Sequence, residues 1–579
     1  MTTKYDNILS LNSEEAMYYL MQDEQYHGFE LPEYFNFSPV LSFVQEKIGD
    51  KSYAQCRSKV APASLPDVNL TFNLNKDGRY AIRPLMLCNP YMYYFLAREI
   101  CGEKNWEQVK DCFKKFHVPG ITACAIPVLP TRKEAFHNST TILNWWNAME
   151  QRSLELALEY KYMFVTDITN CYGSINPQAI DRAFSLEGTA YSTVKNKRLA
   201  GNVKQLLQDI QQGFNMGIPQ GSALFDLIAE FILGYADLLL HERLCKAGIY
   251  GKVPYEILRY RDDYRIFCND KGVLYDISYI LQDVLLSLHF QMNSKKTRVS
   301  SDIIMDAVKE DKLDYIKNTP VFKPGGEMDF KGFQKYMMFI LMFGREHHDC
   351  GMVRTLLTDL DKRIEQYLKP RKKSYVVETI SLDDLFDDDE TGPQKKDLAR
   401  YSQPQSVSRR IKENIKVLTS LAVQIAIENN SAGLHALHII SRLLTDLKDE
   451  AEARHEIMDL VRLKISKLPN SAYLEPWLQN MTIGLDCSRN ECPYQMPLCH
   501  LAMGEEVMIW NNTWLLQELT EGLPLNAVCD QKRICEIKED PTPVIKLVIR
   551  NSYADMDMVE IEEMESDIPE ECNLHIPEE

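Results

Sequence analysis

Tyr260-Arg261-Asp262-Asp263 sets two carboxylates side by side between two apolar runs. Adjacent carboxylates repel, and keeping them in apolar surroundings is costly unless a cation compensates. Mg²⁺ takes oxygen ligands and commonly keeps substrate phosphates in its shell. A third acid, Asp167, closes the apolar run YMFVTDI at 162–168, which reads as a buried strand. Strands pairing side by side would bring Asp167 next to Asp262 and Asp263. Three carboxylates on neighbouring strands make a two-metal site for in-line attack on a phosphate.

The surrounding pattern supplies elements able to hold such a site. Glu256–Cys268 reads as a hairpin: an apolar run, an acidic tip and a second apolar run. Ser222–Leu240 is a long apolar helix behind the turn Gly217-Ile218-Pro219-Gln220-Gly221, and Tyr91–Ile100 is a helix starting after Pro90. Thr140–Tyr160 has the length and spacing of a helix leading into the strand at 162–168. Alternating strands and helices predict an α+β core. From Arg409 the pattern turns wholly helical, with Ile411, Ile415, Leu418, Leu421 and Ile425 on one face and further helices at 434–447, 452–468 and 473–480. Successive helices with short gaps predict a helical-repeat-like, solenoid-type bundle. Residues 371–408, with the run LDDLFDDDETGP, read as an acidic linker or loop.

Composition bounds the function. The chain has 579 residues, 45% of them apolar and 10% aromatic, enough for a large core. A bilayer span needs about 20 consecutive apolar residues, and the longest apolar run, MMFILMF at Met337–Phe343, falls far short. No secretory pattern opens the sequence, and its 15 cysteines include no CxxC pair, so reduced thiols in the cytoplasm and no membrane are expected. The net charge of −18 argues against generic coating of nucleic acid, but eleven of the acids sit in residues 551–579, leaving −7 for the rest. Basic stretches at Lys195–Lys204, Lys295–Arg298 and Lys369–Lys373 permit a local nucleic-acid site.

Order and company make the acidic tip specific. Phe164-Val-Thr-Asp167 with Tyr172 five residues on, then Gly217–Gly221, then Tyr260–Asp263, then Met292-Asn293-Ser-Lys-Lys296-Thr297 is a series that resembles the palm motifs of reverse transcriptases. The resemblance covers about residues 76–300. It implies that Asp167, Asp262 and Asp263 hold two Mg²⁺ ions, and that Tyr172 lies beneath the incoming sugar and excludes a 2′-hydroxyl. It also implies that Gln220 and Gly221 line the nascent base pair and that Lys296 sits by the pyrophosphate leaving group. Lys76-Asp-Gly-Arg-Tyr-Ala-Ile-Arg83-Pro84-Leu85 looks like the fingers segment, whose arginine, here Arg83, grips the triphosphate with a fork that matches phosphate oxygens. Arg261 stands where intron-encoded members usually carry a small residue.

The segment Arg83–Leu96, the hairpin YRDDYRIF and the long helical C-terminal region together look like the abortive-infection and unknown-group reverse transcriptases of bacteria. That resemblance implies a right-hand polymerase: N-terminal region and fingers at 1–160, palm at 161–300, thumb-like connection at 301–370, linker at 371–408, helical domain at 409–500 and a C-terminal region with an acidic tail at 501–579. The implied function is RNA-directed DNA synthesis from dNTPs in antiphage defence, on an RNA template that is a dedicated non-coding RNA, with a DNA product. Template-independent or protein-primed synthesis by the same site stands as an alternative, with Tyr401 and Tyr553 as candidate priming hydroxyls; a non-catalytic RNA-binding scaffold stands as another. The helical domain is expected to hold nucleic acid and to mediate self-association, giving a homo-oligomer. Cys487, Cys492, Cys499 and His500 invite a zinc reading, but their spacing is not that of the usual ligand pairs, and buried thiols are expected.

Overall fold

The computed structural model describes residues 7–75, 82–129, 146–308 apart from 195 and 215, 310, 312–314, 330–368 apart from 349, and 405–546. Lys76, Lys195, Lys369–Lys373, Tyr401, Tyr553, most of the 371–408 linker and the acidic tail lie outside the described residues.

Two sheets carry the strands of the first half. Strands β1 (Leu70–Asn75) and β2 (Ile82–Leu87) form an antiparallel hairpin that pairs Leu74 with Arg83. The larger sheet has the order β3-β5-β6-β4-β7, built from β3 (Ile121–Ala123), β4 (Tyr162–Asp167), β5 (Tyr255–Tyr260), β6 (Asp263–Cys268) and β7 (Arg298–Ser300). β3 joins β5 in parallel, and the remaining pairs are antiparallel. The two apolar runs around the acidic tip are β5 and β6. Between them the chain reverses in a tight turn in which Arg261 takes the left-handed conformation, φ 51°.

Helices cover this sheet. In chain order the main ones are α1 (Pro90–Cys101), α2 (Glu103–Phe116), α3 (Pro177–Ser185), α4 (Lys197–Ile210), α5 (Ala223–Lys246) and α6 (Lys271–Ser287). α5 is apolar around nearly its whole circumference, the pattern of a helix enclosed by protein, and its first 18 residues are all buried. Ser222 caps it by accepting from the Phe225 amide. At Gly234 of α5 a Cβ would come within 2.8 Å of the Phe116 ring, so only glycine admits α2 this closely. Three acids interrupt the apolar surface of α5. Glu230 and Asp237 meet Arg259 of β5: Nε donates to Asp237 at 2.8 Å and Nη1 to both Glu230 oxygens at 3.0 Å. The third, Asp226, belongs to the acidic site at the end of the sheet.

Beyond β7 the described residues form helices and loops: α7 (Phe330–Glu346), α8 (Met352–Leu368), α9 (Gln405–Glu428), α10 (Gly433–Leu444), α11 (Ala451–Ile465) and α12 (Glu475–Arg489). Arg442 of α10 holds Asp361 of α8 through two bonds, at 2.5 and 2.9 Å. The chain then returns to its beginning. Leu515 bridges to Arg57 and Cys529 to Phe35, Trp510 Nε1 donates to the Leu87 carbonyl at 3.2 Å, and Trp514 is fully buried. Residues 505–546 thus pack with the N-terminal helices. No helix among the described residues is long and apolar enough to cross a membrane.

The Arg259 cluster yields a test of what holds the sheet to α5. Removing one partner of a buried ion pair strands the others without compensation, at a cost of about 3–5 kcal/mol. Arg259→Leu should lower unfolding stability by that amount in urea titration; a loss below about 1 kcal/mol, the scale of a surface pair, would show that the cluster does not tie β5 to α5.

Candidate active site

The register of β4 against β6 sets Asp167 directly across from Asp263. One residue on, the Ile168 amide donates to the Asp262 carbonyl at 3.0 Å, fastening the end of β4 to the acidic turn. On the other side of β4, Asn293 N–H donates to the Asp167 carbonyl at 2.9 Å and Thr169 N–H to the Gln291 carbonyl at 2.8 Å. These bonds lay the 291–297 segment beside the same strand end. Lys296 Nζ consequently reaches Asp167 Oδ2 at 2.6 Å, and the Thr166 and Thr297 hydroxyls meet at 2.7 Å. Asp167, the pair Asp262–Asp263 and Lys296, from three separate stretches of sequence, meet at one point.

The three carboxylates differ in environment. Asp167 is buried, Asp262 partly so, and Asp263 is exposed. Burial pushes the Asp262 pKa above its ordinary value, and the neighbouring charge of Asp167 adds to the shift; a backbone hydrogen bond and the cations Arg261 and Lys296 pull the other way. For Lys296, burial works against the ammonium, but the hydrogen bond and charge of Asp167, with the charges of Asp263 and Asp262, outweigh it and raise the pKa. Asp167 Oδ1 is buried and meets no hydrogen-bond donor. A buried carboxylate oxygen facing further carboxylates and no donor fits a hard divalent cation, which takes oxygen ligands. Asp167, Asp262 and Asp263 are thus a donor set suited to Mg²⁺.

A second group adjoins the first through Arg261. Tyr172 lies in the short turn Cys171–Ser174, which follows Asn170 in the left-handed conformation, φ 48°. Its hydroxyl donates to Asp226 Oδ1 at 2.6 Å, and Asp226 Oδ2 accepts from Arg261 Nη2 at 2.5 Å. Arg261, which departs from the motif's usual small residue, is therefore held by an acid in the first turn of α5. The Ile218 amide donates to the Tyr172 carbonyl at 2.9 Å, so the Gly217–Gly221 turn is bound to the tyrosine's own backbone. That turn needs its glycines: Gly217 has φ 83°, and Gly221 has φ 116° with the Phe29 ring 3.2 Å from where a Cβ would stand. Arg83, Gln220, Gly221, Asp226 and Arg261 line one cavity.

Sequence reasoning did not single out Asp226, Glu230, Asp237 or Arg259. The one available signal was three acids in an otherwise apolar helix. Around the proposed zinc residues, both ring nitrogens of His500 are engaged, Nδ1 with Glu505 at 2.7 Å and Nε2 with the Tyr494 carbonyl at 2.8 Å. Cys499 is fully buried, and Cys487 Sγ lies 3.7 Å from Met503 Sδ. Cys492, His500 and Glu505 cluster, and the bond from His500 Nδ1 to Glu505 joins two members of that cluster.

No family model matches the chain, and no curated protein does. Among solved structures it is similar to a telomerase from Candida albicans in complex with a fragment of telomeric RNA, at 12% identity and a TM-score of 0.27 over 68% of this chain and 66% of that one. It is also similar to apo telomerase from Candida tropicalis, at 13% identity and a TM-score of 0.28 over 73% and 74% of the two chains. The matched region spans just under two thirds of the first of these proteins. At these TM-scores the likeness defines no common fold.

Burial of like charge sets the expected behaviour of Asp262. A carboxyl whose pKa lies above its unfolded value of 3.8 opposes folding wherever it is ionised. Asp262→Asn should therefore raise Tm at pH 7 without Mg²⁺, and the gain should shrink as the pH falls toward 3.8, where the wild-type group is itself protonated. A lower Tm for the variant at pH 7, by differential scanning fluorimetry, would contradict the burial assigned to this group.

Proposed function

We propose that this chain is an RNA-directed DNA polymerase, a nucleotidyltransferase acting on dNTPs. The observation that carries the reading is the register of Asp167 against Asp263, with Asp262 fastened to the next residue of β4 and Lys296 bonded to Asp167. A cluster with one buried carboxylate oxygen that meets no donor suits the assembly of phosphates around divalent cations. The primer 3′-oxygen bonds to the α-phosphorus of a dNTP, the bond to the bridging oxygen breaks, pyrophosphate leaves, and the hydroxyl proton passes to solvent.

The chain's own residues divide this work. Asp167, Asp262 and Asp263 would hold two Mg²⁺ ions, which supply Lewis acidity and neutralise phosphate charge when bound. Lys296, which the structure sets beside Asp167, would stand as a positive charge near the leaving group. Tyr172, tethered through its hydroxyl to Asp226, presents its ring beneath the sugar and disfavours a 2′-hydroxyl. Arg83 binds phosphate oxygens from β2, and Gln220 with Gly221 borders the base pair. A non-coding RNA as template, a DNA product and a role in antiphage defence belong to the reading through the resemblance of the motif series from Arg83 to Thr297 to bacterial defence-associated reverse transcriptases.

Purified full-length protein with Mg²⁺, labelled dNTPs and a primed RNA template tests the reading. Incorporation should fall by about 10²–10³-fold or more in Asp262→Asn/Asp263→Asn, the scale of removing transition-state charge stabilisation. Undiminished synthesis by that double variant would sink the assignment. Label that stays with the protein after denaturation and proteolysis to a peptide would identify a protein primer.

Sugar choice is a separate test. Tyr172→Ala should shift the dNTP-to-rNTP preference by about 10–200-fold, the range over which a pocket discriminates one small group, whereas Tyr172→Phe, which keeps the ring and loses only the bond to Asp226, should shift it less. Equal ratios in all three proteins, from single-nucleotide incorporation, would remove Tyr172 from this role.

A further inference from the structure

The cavity that Arg83, Gln220, Gly221, Asp226 and Arg261 share draws part of its wall from the second half of the chain. Arg354 of α8, His435 of α10 and Tyr473 line it together with Arg83, Gln220 and Arg261. Three guanidinium groups therefore converge from three separate elements: β2, the β5–β6 turn and α8. The carboxylates lining the same space are Glu30 and Asp226, and Asp226 is already bonded to Arg261 and Tyr172.

The wall is fixed to the strands it faces. The Tyr473 ring stacks on Phe72 of β1 with centroids 6.3 Å apart and planes 10° from parallel. Asn75 Nδ2 donates to the Pro469 carbonyl at 2.9 Å, and Asn73 Nδ2 to Asn470 Oδ1 at 3.2 Å. The hairpin that carries Arg83 is thus bonded along its first strand to the segment that carries Tyr473. A cavity with an excess of arginines, the Tyr473 ring and the Gln220 amide suits a phosphorylated, planar ligand, because guanidinium forks match phosphate oxygens.

We propose that Arg354 binds a phosphate of the nucleotide in this cavity, so that the helical half of the chain supplies part of the nucleotide site. The proposal rests on the polymerase reading above. Two sources of that phosphate share one chemistry: the triphosphate of an incoming dNTP and the backbone of the template strand beside it.

Equilibrium binding to full-length protein separates them. The probes are dTTP with Mg²⁺ and a fluorescein-labelled single-stranded RNA oligonucleotide, measured for wild type, Arg354→Gln, Arg354→Lys and Arg83→Gln, with circular dichroism melts as the check on folding. Arg354→Gln should weaken at least one ligand by about tenfold, the effect of losing one charge-assisted contact, and Arg354→Lys, which keeps the charge, should recover part of the loss. Loss confined to dTTP assigns the contact to the triphosphate, and loss confined to RNA assigns it to the template. If both Arg354 variants bind both ligands as wild type does while Arg83→Gln weakens dTTP, the Arg354 assignment falls and the polymerase reading stands. If wild type binds neither ligand, or if neither arginine matters to either, both fall together.

Discussion

Like charge gathered at the end of a sheet is the constraint on which this architecture turns. Asp167 and Asp263 face each other across β4 and β6, a placement that destabilises a ladder when both groups are ionised. Asp262 sits in the turn beside them. The surrounding cations answer from opposite sides: Lys296 comes from the segment before β7 and binds Asp167, and Arg261 comes from the turn itself. Neither alone balances three carboxylates, and the residual negative charge is of the sign that a divalent cation would compensate.

The turn that presents these acids is itself held from beneath. Arg259, the residue two before Arg261, is fully buried and divides its donors between Glu230 and Asp237 of α5. Its Nη1 also donates to the Arg261 carbonyl at 3.3 Å, where the backbone is left-handed. From the same helix, Asp226 takes the Arg261 side chain on one oxygen and the Tyr172 hydroxyl on the other. One helix therefore governs the strand, the turn and the position of Tyr172. A shift of α5 along its axis would move all three together, and Gly234 fixes that axis by admitting Phe116 at contact distance.

Much of this was legible in the sequence, for identifiable reasons. Strands β4, β5 and β6 are short apolar runs ended by acids, and a one-residue change of register would expose their buried faces, so Asp167, Asp262 and Asp263 could be set together from pattern alone. Helix α5 announced itself through its length and its predominantly apolar surface. Asp226 was hidden because an acid in the first turn of a helix reads as an ordinary partner of the helix dipole. Arg259 was hidden because a lone arginine in a strand reads as an outward-facing residue; only its two partners, 22 and 29 residues earlier, make it buried. β3 and β7, at three residues each, carry too little periodicity to register.

Long-range closure was the least legible feature, and it bears most on how the two halves work. The sequence divides at the acidic stretch after residue 370, with a helical domain behind it whose apolar face has no partner that the sequence identifies. In the fold, Tyr34 donates to the Pro476 carbonyl, Tyr91 to the Leu519 carbonyl and Asn89 to Asn512, across separations of more than 400 residues. Each bond joins a buried polar group of the N-terminal layer to a partner in the last third of the chain. A buried hydroxyl or amide stripped of its partner costs about 1–3 kcal/mol, and several tryptophan faces would become exposed as well. The helical half is therefore part of the body that positions Arg83 and the Gly217–Gly221 turn.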